Sequence, residues 1–400
     1  MSPPARRVVL ATRIFAPESA AATFRLVALV RALVDSGAEV EVLTTTPPPG
    51  STADDTRDAP GTRVRRWPVL RDATGYVRGY LPYASFDVPL KLRLWGMRRA
   101  DVVVVEPPPT TGAMVRAVLA TQRVLLRRRT PYVYYAADVW SDASASTGAP
   151  GPVVAVLRAL ERFAVRGARE VVAVSEGVAE RVRDLGGTRV HVVPNGIDTD
   201  TFTPEGPVAE EAPRATAYLV YAGTASEWQG AEVFAEAMRR VVEHEPEARL
   251  VFLGQGSAWS ALRRVADDLP AGAVELRPLV PPTEAAAWLR GAAGALVSVR
   301  PGLGYDFAYP TKVIAALACG TPVVYAGPGP AAADLTTQGL GHAVPYDVGA
   351  VADAMVAVLR APRVPQDVRR RVAWVQEHRS VRATGRAAAQ VVLGAATGPG

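Results

Sequence analysis

A lysine in the first turn of a helix and an aspartate at the end of a strand are the two groups in this sequence best suited to chemistry. The segment Tyr309-Pro310-Thr311-Lys312-Val313-Ile314-Ala315-Ala316-Leu317-Ala318-Cys319-Gly320-Thr321-Pro322-Val323-Val324 reads as loop, helix, turn and strand. Pro310 and Thr311 suit a helix start, where free backbone N–H groups and the dipole favour an anion. Lys312 adds a point charge for phosphate. Of 45 basic residues only Lys91 and Lys312 are lysine, so a lysine retained here is informative. The competing reading is a solvated lysine on a packing helix.

Asp138 closes Tyr134-Tyr135-Ala136-Ala137-Asp138-Val139-Trp140. A carboxylate at a strand end orients a hydroxyl and accepts its proton, or caps the segment that follows. Near the N-terminus, Phe15 to Arg25 links an apolar strand to a helix through small residues, Ala21 and Ala22 among them, that let backbone approach a ligand. Arg25 either reaches an anion there or pairs on the helix surface. Gly254-Gln255-Gly256 is a turn after a strand, able to approach a ligand or simply to turn. His191, His244, His342 and His378 do not cluster, so no metal site is expected. The single Cys319 excludes an intramolecular disulfide and fits a reducing compartment.

The elements that position these groups follow a βαβ rhythm. Apolar runs at 8–10, 40–43, 102–105, 133–135, 171–174 and 190–193 predict strands. A second series at 219–221, 250–253, 295–299 and 323–325 follows the Pro- and Glu-containing stretch 204–213. Leu26, Val27, Val30, Leu33 and Val34 fall at helical spacing before Gly37. The expected fold is two Rossmann-like, doubly wound parallel-sheet α/β domains facing each other across a cleft. The first spans 1–200, a linker 201–215 and the second 216–376; a C-terminal helix over 377–393 returns to the first, and 394–400 is a flexible tail.

With 400 residues and 49% hydrophobic content the chain can fill two cores. No apolar run approaches a membrane span or a signal peptide, so a cytoplasmic protein is expected. The net charge of +6 is scattered arginine and gives no reason to expect nucleic acid. Val115, Val118, Leu119, Leu125 and Leu126 form one helical face and Arg116, Arg123 and Arg127 to Arg129 the other. That face is either solvated or a peripheral contact with the inner face of an anionic membrane.

The lysine segment resembles the donor-site helix of family-4-type GT-B glycosyltransferases: Pro-x-Lys, an acidic residue three further on, then Ala-x-Gly-x-Pro-Val. Here the acidic position is Ala315, and Phe307 stands where many members carry a second glutamate. The Asp138 segment resembles the Asp-Leu-Trp-Pro motif of bacterial N-acetylhexosaminyl- and deoxyhexosaminyl-transferases, with Ser141 in place of proline. Val193-Pro194-Asn195-Gly196-Ile197-Asp198 and Phe202-x-Pro204 also fit the family in order and spacing.

The resemblance implies metal-independent transfer of a hexosyl group, with retention, from a nucleotide-diphosphate sugar to a hydroxyl acceptor on a glycan, lipid-linked intermediate or natural product. UDP is the favoured nucleotide over GDP or dTDP, and no other cofactor is implied. It places Lys312 and Asp138 in catalysis. Gly223, Thr224, Gln229, Gln255, Val280, Arg300, Asp306, Phe307, Tyr309, Thr311 and Ala315 line the donor, with Val280 beside the base. Thr224 and Gln229 fall near positions that supply cations in many members. Ala21, Ala22, Arg25 and Trp140 fall on the acceptor side. An inactive partner subunit and a nucleotide-sugar epimerase are the alternatives.

Overall fold

The computed structural model describes residues 5–18, 21–48, 61–71, 77, 79–146, 149–213, 216–303 and 305–397. Two compact units emerge: Met1–Asn195 with Val381–Gly400, and Gly196–Ser380. Ser19, Ala20 and 398–400 of the expected tail lie outside the described residues.

The first unit is one parallel sheet of β1 (Arg7–Ala11), β2 (Glu39–Thr45), β3 (Thr62–Trp67), β4 (Val102–Val105), β5 (Tyr132–Ala136), β6 (Glu170–Ala173) and β7 (Val190–Val192). The strand order is β3-β2-β1-β4-β5-β6-β7. Its central strands are unbroken Val, Leu and Tyr because helices cover both faces. Val9 pairs with Val103, and Val104 with Val133. Helices α1 (Ala21–Asp35), α2 (Tyr80–Gly96), α3 (Pro109–Leu126), α4 (Trp140–Ser146), α5 (Gly151–Gly167) and α6 (Glu176–Asp184) join the strands. Phe86, Leu90 and Leu94 of α2 share a core with Val115 of α3 and Ala164 of α5.

The second unit repeats the plan. Its strands are β8 (Tyr218–Ala222), β9 (Arg249–Leu253), β10 (Val274–Arg277), β11 (Gly294–Ser298), β12 (Val323–Ala326) and β13 (Gly341–Val344), ordered β10-β9-β8-β11-β12-β13 and all parallel. The connecting helices are α7 (Glu232–His244), α8 (Trp259–Asp267), α9 (Pro282–Gly291), α10 (Thr311–Ala318), α11 (Pro330–Thr337), α12 (Val348–Arg360) and α13 (Pro365–His378). The last helix, α14 (Val381–Thr397), packs along α1 in the first unit. In both sheets the order reverses beside the first strand, between β1 and β4 and between β8 and β11. That reversal opens a crevice at the carboxyl ends of the strands.

Both sheets are parallel and doubly wound, as the alternating pattern predicts. Four details differ. Strands β3, β10 and β13 carry no apolar run, because each lies at a sheet edge and is buried on part of one face only. Leu125 and Leu126 do not join the buried face of α3: Val115, Val118 and Leu119 are buried while both leucines are exposed. Residues 394–397 are helical, since Ala388, Ala389, Val392 and Ala395 form one buried stripe that carries α14 through to Thr397. The stretch expected to link the domains packs on the second unit, with Ala209 and Ala212 buried and Ala209 N–H donating to Ala287 O at 3.3 Å.

Candidate active site

The crevice of the second unit is a cavity of about 790 Å³. Val220, Ala222, Leu253, Leu289 and Val297 form apolar lining, joined by Ile197, Phe202 and Tyr309. Pro310 caps α10 with extended backbone and no side-chain hydrogen bond. The first-turn N–H groups of Thr311 and Lys312 therefore meet no capping oxygen, which suits an anion.

Lys312 Nζ donates to Thr224 O at 2.8 Å and lies 5.0 Å from the Tyr221 ring centroid. Among the described residues lining the cavity it is the only charged one, and no carboxylate pairs with it. Burial lowers its pKa from the ordinary 10.5 to about 8. Gly223, at φ +122°, brings the β8 loop beneath the lysine: a Cβ there would lie 2.8 Å from Lys312 Cε. The ammonium keeps donors for an incoming anion in a site that already disfavours water.

Gly223, Thr224, Gln229, Val280, Tyr309, Thr311, Lys312 and Ala315 all line this cavity. Four expected neighbours do not. Gln255 is exposed, and its backbone carbonyl accepts from Ala225 N–H at 2.8 Å. Arg300 is exposed, its N–H donating to Trp228 O at 2.9 Å. Phe307 is 49% exposed. Asp306 braces its own loop by accepting from Gly302 N–H at 3.1 Å, the ordinary role of a loop aspartate. Gln229 Oε1 likewise accepts from Ser226 N–H and Oγ, both at 3.0 Å, so its carbonyl end holds the loop. Trp228, not among the expected site residues, lines the cavity and stacks on Tyr305 with centroids 4.8 Å apart. An aromatic in a Gly-flanked loop after a strand was the available signal.

In the first unit, Asp138 lies just beyond β5, exposed. Its Oδ1 accepts from Val139 N–H at 2.7 Å, while the N–H groups a capping carboxylate would take, on Trp140 and Ser141, go to Glu161 instead. Partial desolvation raises the Asp138 pKa, the Val139 N–H lowers it and the Asp142 charge raises it. Trp140 is fixed through its backbone: its N–H donates to buried Glu161 Oε1 at 2.9 Å, and Ser141 Oγ donates to Glu161 Oε2 at 2.8 Å. Burial raises the Glu161 pKa, against the lowering by three donors: Ser141 Oγ, Trp140 N–H and Ser141 N–H, the last at 3.2 Å. Serine in place of proline supplies two of them.

Arg25 is committed to a buried ion pair with Glu106 and donates to Asn195 Oδ1 at 3.2 Å, so it takes the pairing alternative. Ala22 is half-buried in the first turn of α1; the Ala21 side chain lies outside the described residues. Arg13, two residues beyond β1, is a residue that sequence reasoning missed. It is only 6% exposed, 4.1 Å over the Tyr83 ring and 5.7 Å from Trp140, and desolvation lowers its pKa. Arg13, Tyr83, Trp140 and Asp138 thus share the carboxyl edge of this sheet. An arginine two residues past a buried strand was the overlooked signal.

Two family models match successive parts of the chain: Glycosyltransferase Family 4 over residues 23–201 and Glycosyl transferases group 1 over 216–361. The D-inositol 3-phosphate glycosyltransferase of Xylanimonas cellulosilytica is 34% identical over 193 residues, 41% of this chain and 44% of that protein. The match thus spans less than half the length of this curated relative. Among solved structures, the fold resembles a glycosyltransferase from Rickettsia africae (TM-score 0.68, 12% identity, 99% of this chain and 100% of that one). It also resembles HepE of Anabaena in complex with UDP-glucose (0.62, 14%, 97% and 99%). One model thus falls on each sheet: the first half matches Glycosyltransferase Family 4 and the second Glycosyl transferases group 1, on a two-sheet GT-B fold shared with these solved neighbours.

Proposed function

We propose that the chain transfers a hexosyl group from a nucleotide-diphosphate sugar to a hydroxyl acceptor, with retention and without a metal. The observation that carries this reading is Lys312: a desolvated ammonium with no carboxylate partner, at an open helix N-terminus inside an apolar cavity. Such a site stabilises charge developing on a departing diphosphate. Val280 and the apolar lining take the base, and Ala315 offers a methyl where a carboxylate would meet the ribose. The solved Anabaena neighbour holds UDP-glucose, which puts UDP ahead of GDP and dTDP. Asp138 orients the acceptor hydroxyl, with Trp140 and Tyr83 as aromatic surfaces for a sugar ring.

Removing a charge-assisted contact worth roughly 1.5 to 3 kcal/mol lowers turnover about 10- to 100-fold. Lys312→Ala is therefore expected to lose at least tenfold in release of nucleoside diphosphate from the donor, followed by mass spectrometry. Unchanged turnover would overturn the role. The absence of any carboxylate among the described lining residues supports a second reading, a binding subunit without turnover. Nucleotide binding with no sugar release from a full acceptor panel would select it.

A further inference from the structure

Away from the strand-end crevices, the first unit carries a second surface. Helices α2, α3 and α5 lie on one face of its sheet, and each runs toward the amino end of the strand that follows, so their last turns converge. Gln122 Nε2 of α3 donates to Leu94 O of α2 at 2.9 Å. The Arg116 guanidinium of α3 lies 4.1 Å over the Phe163 ring of α5.

On this edge large apolar side chains face solvent: Val124 (77% exposed), Leu125 (66%) and Leu126 on α3, Leu92 (70%) and Trp95 on α2, and Phe163 on α5. Arginines interleave them. Arg98 and Arg99 follow α2, and Arg127, Arg128 and Arg129 follow α3. A hollow of about 430 Å³ between α3 and the end of α5 is lined by five arginines and no acidic residue. The acid of the α2–β4 link, Asp101, is engaged with Arg7 N–H at 2.8 Å.

We propose that this edge docks on an anionic lipid bilayer. The partner must bury leucine, valine and tryptophan while supplying negative charge to arginines. A second copy placed by a two-fold axis sets arginine against arginine. Nucleic acid satisfies the guanidinium groups but leaves the Val124-Leu125-Leu126 run in water. An anionic interface meets both requirements: apolar side chains enter below the headgroups, and the arginines lie at phosphate level.

The test is co-sedimentation of the full chain with phosphatidylcholine vesicles, with and without phosphatidylglycerol. Binding is expected only to the anionic vesicles and is weakened by salt. Leu125→Asp with Leu126→Asp, or Arg127, Arg128 and Arg129 changed together to Ser, is expected to weaken it at least about tenfold. All five side chains are clear of both strand-end sites, so donor turnover in solution stays unchanged, and circular dichroism confirms the fold. Equal sedimentation of wild type and variants, or none on anionic vesicles, overturns the proposal. So does a dimer by light scattering that the Leu125→Asp variant dissolves, or competition by duplex DNA that outlasts loss of the leucines.

Discussion

Lys312 has given up part of its hydration without gaining a carboxylate, and this sets its pH behaviour. With the pKa lowered from 10.5 to about 8, the unfolded chain holds this proton between those values and the folded chain does not. The group's contribution to stability therefore rises with pH across that window. The gross difference is about 3 kcal/mol, less for partial solvent access. Donor affinity runs the opposite way: a diphosphate needs the ammonium, so the dissociation constant is expected to climb as pH passes about 8. Calorimetric titration at a series of pH values checks this, and a flat profile from pH 7 to about 9.5 would contradict it. That Lys312 opens a helix beside the second sheet's crevice was legible because its helix start, spacing and rarity all lie within one segment. Arg13 and Glu161 were not, because their partners Tyr83 and Trp140 come from 70 and 21 positions away in sequence and meet them only through the fold.

At the scale of elements, the loop after β8 is held against the turn after β9 by glycine. A Cβ on Gly254 would lie 2.0 Å from Gly223 O, with no flexible side chain to yield. Gly254→Ala is expected to cost about 2 kcal/mol or more and to move the Gly223–Thr224 segment that seats Lys312. Urea unfolding and nucleotide affinity should therefore fall together, and loss of stability with affinity intact would separate the turn from the site. This turn was visible in the sequence as Gly-x-Gly, but the element it touches was not. The same limit applies to strands. Buried central strands announce themselves as apolar runs, whereas Thr-Arg-Val-Arg-Arg-Trp in β3 and Val-Glu-Leu-Arg in β10 alternate with charge, because an edge strand need cover only part of one face.

At the scale of the molecule, the last helix completes the first unit's core. Val392 and Ala388 of α14 are fully buried with Leu26, Leu29 and Leu33 of α1, and the crossing is close enough that a Cβ on Gly385 would lie 2.6 Å from Ala28 O. Gly385→Leu should force the helices apart at a cost of about 2 kcal/mol or more, lowering the first unit's melting temperature by roughly 5 °C; an unchanged melt would show that α14 is dispensable. The two-sheet plan was readable in sequence because both halves repeat one rhythm of strand and helix. The proposed transfer requires that the second sheet hold a nucleotide diphosphate through Lys312. Its most direct test is isothermal titration of UDP, GDP and dTDP into wild type and Lys312→Ala. One nucleotide is expected to bind wild type at least about tenfold more tightly than the variant, a difference of about 1.4 kcal/mol. Equal affinity for both proteins, or no nucleotide binding to wild type, would contradict it.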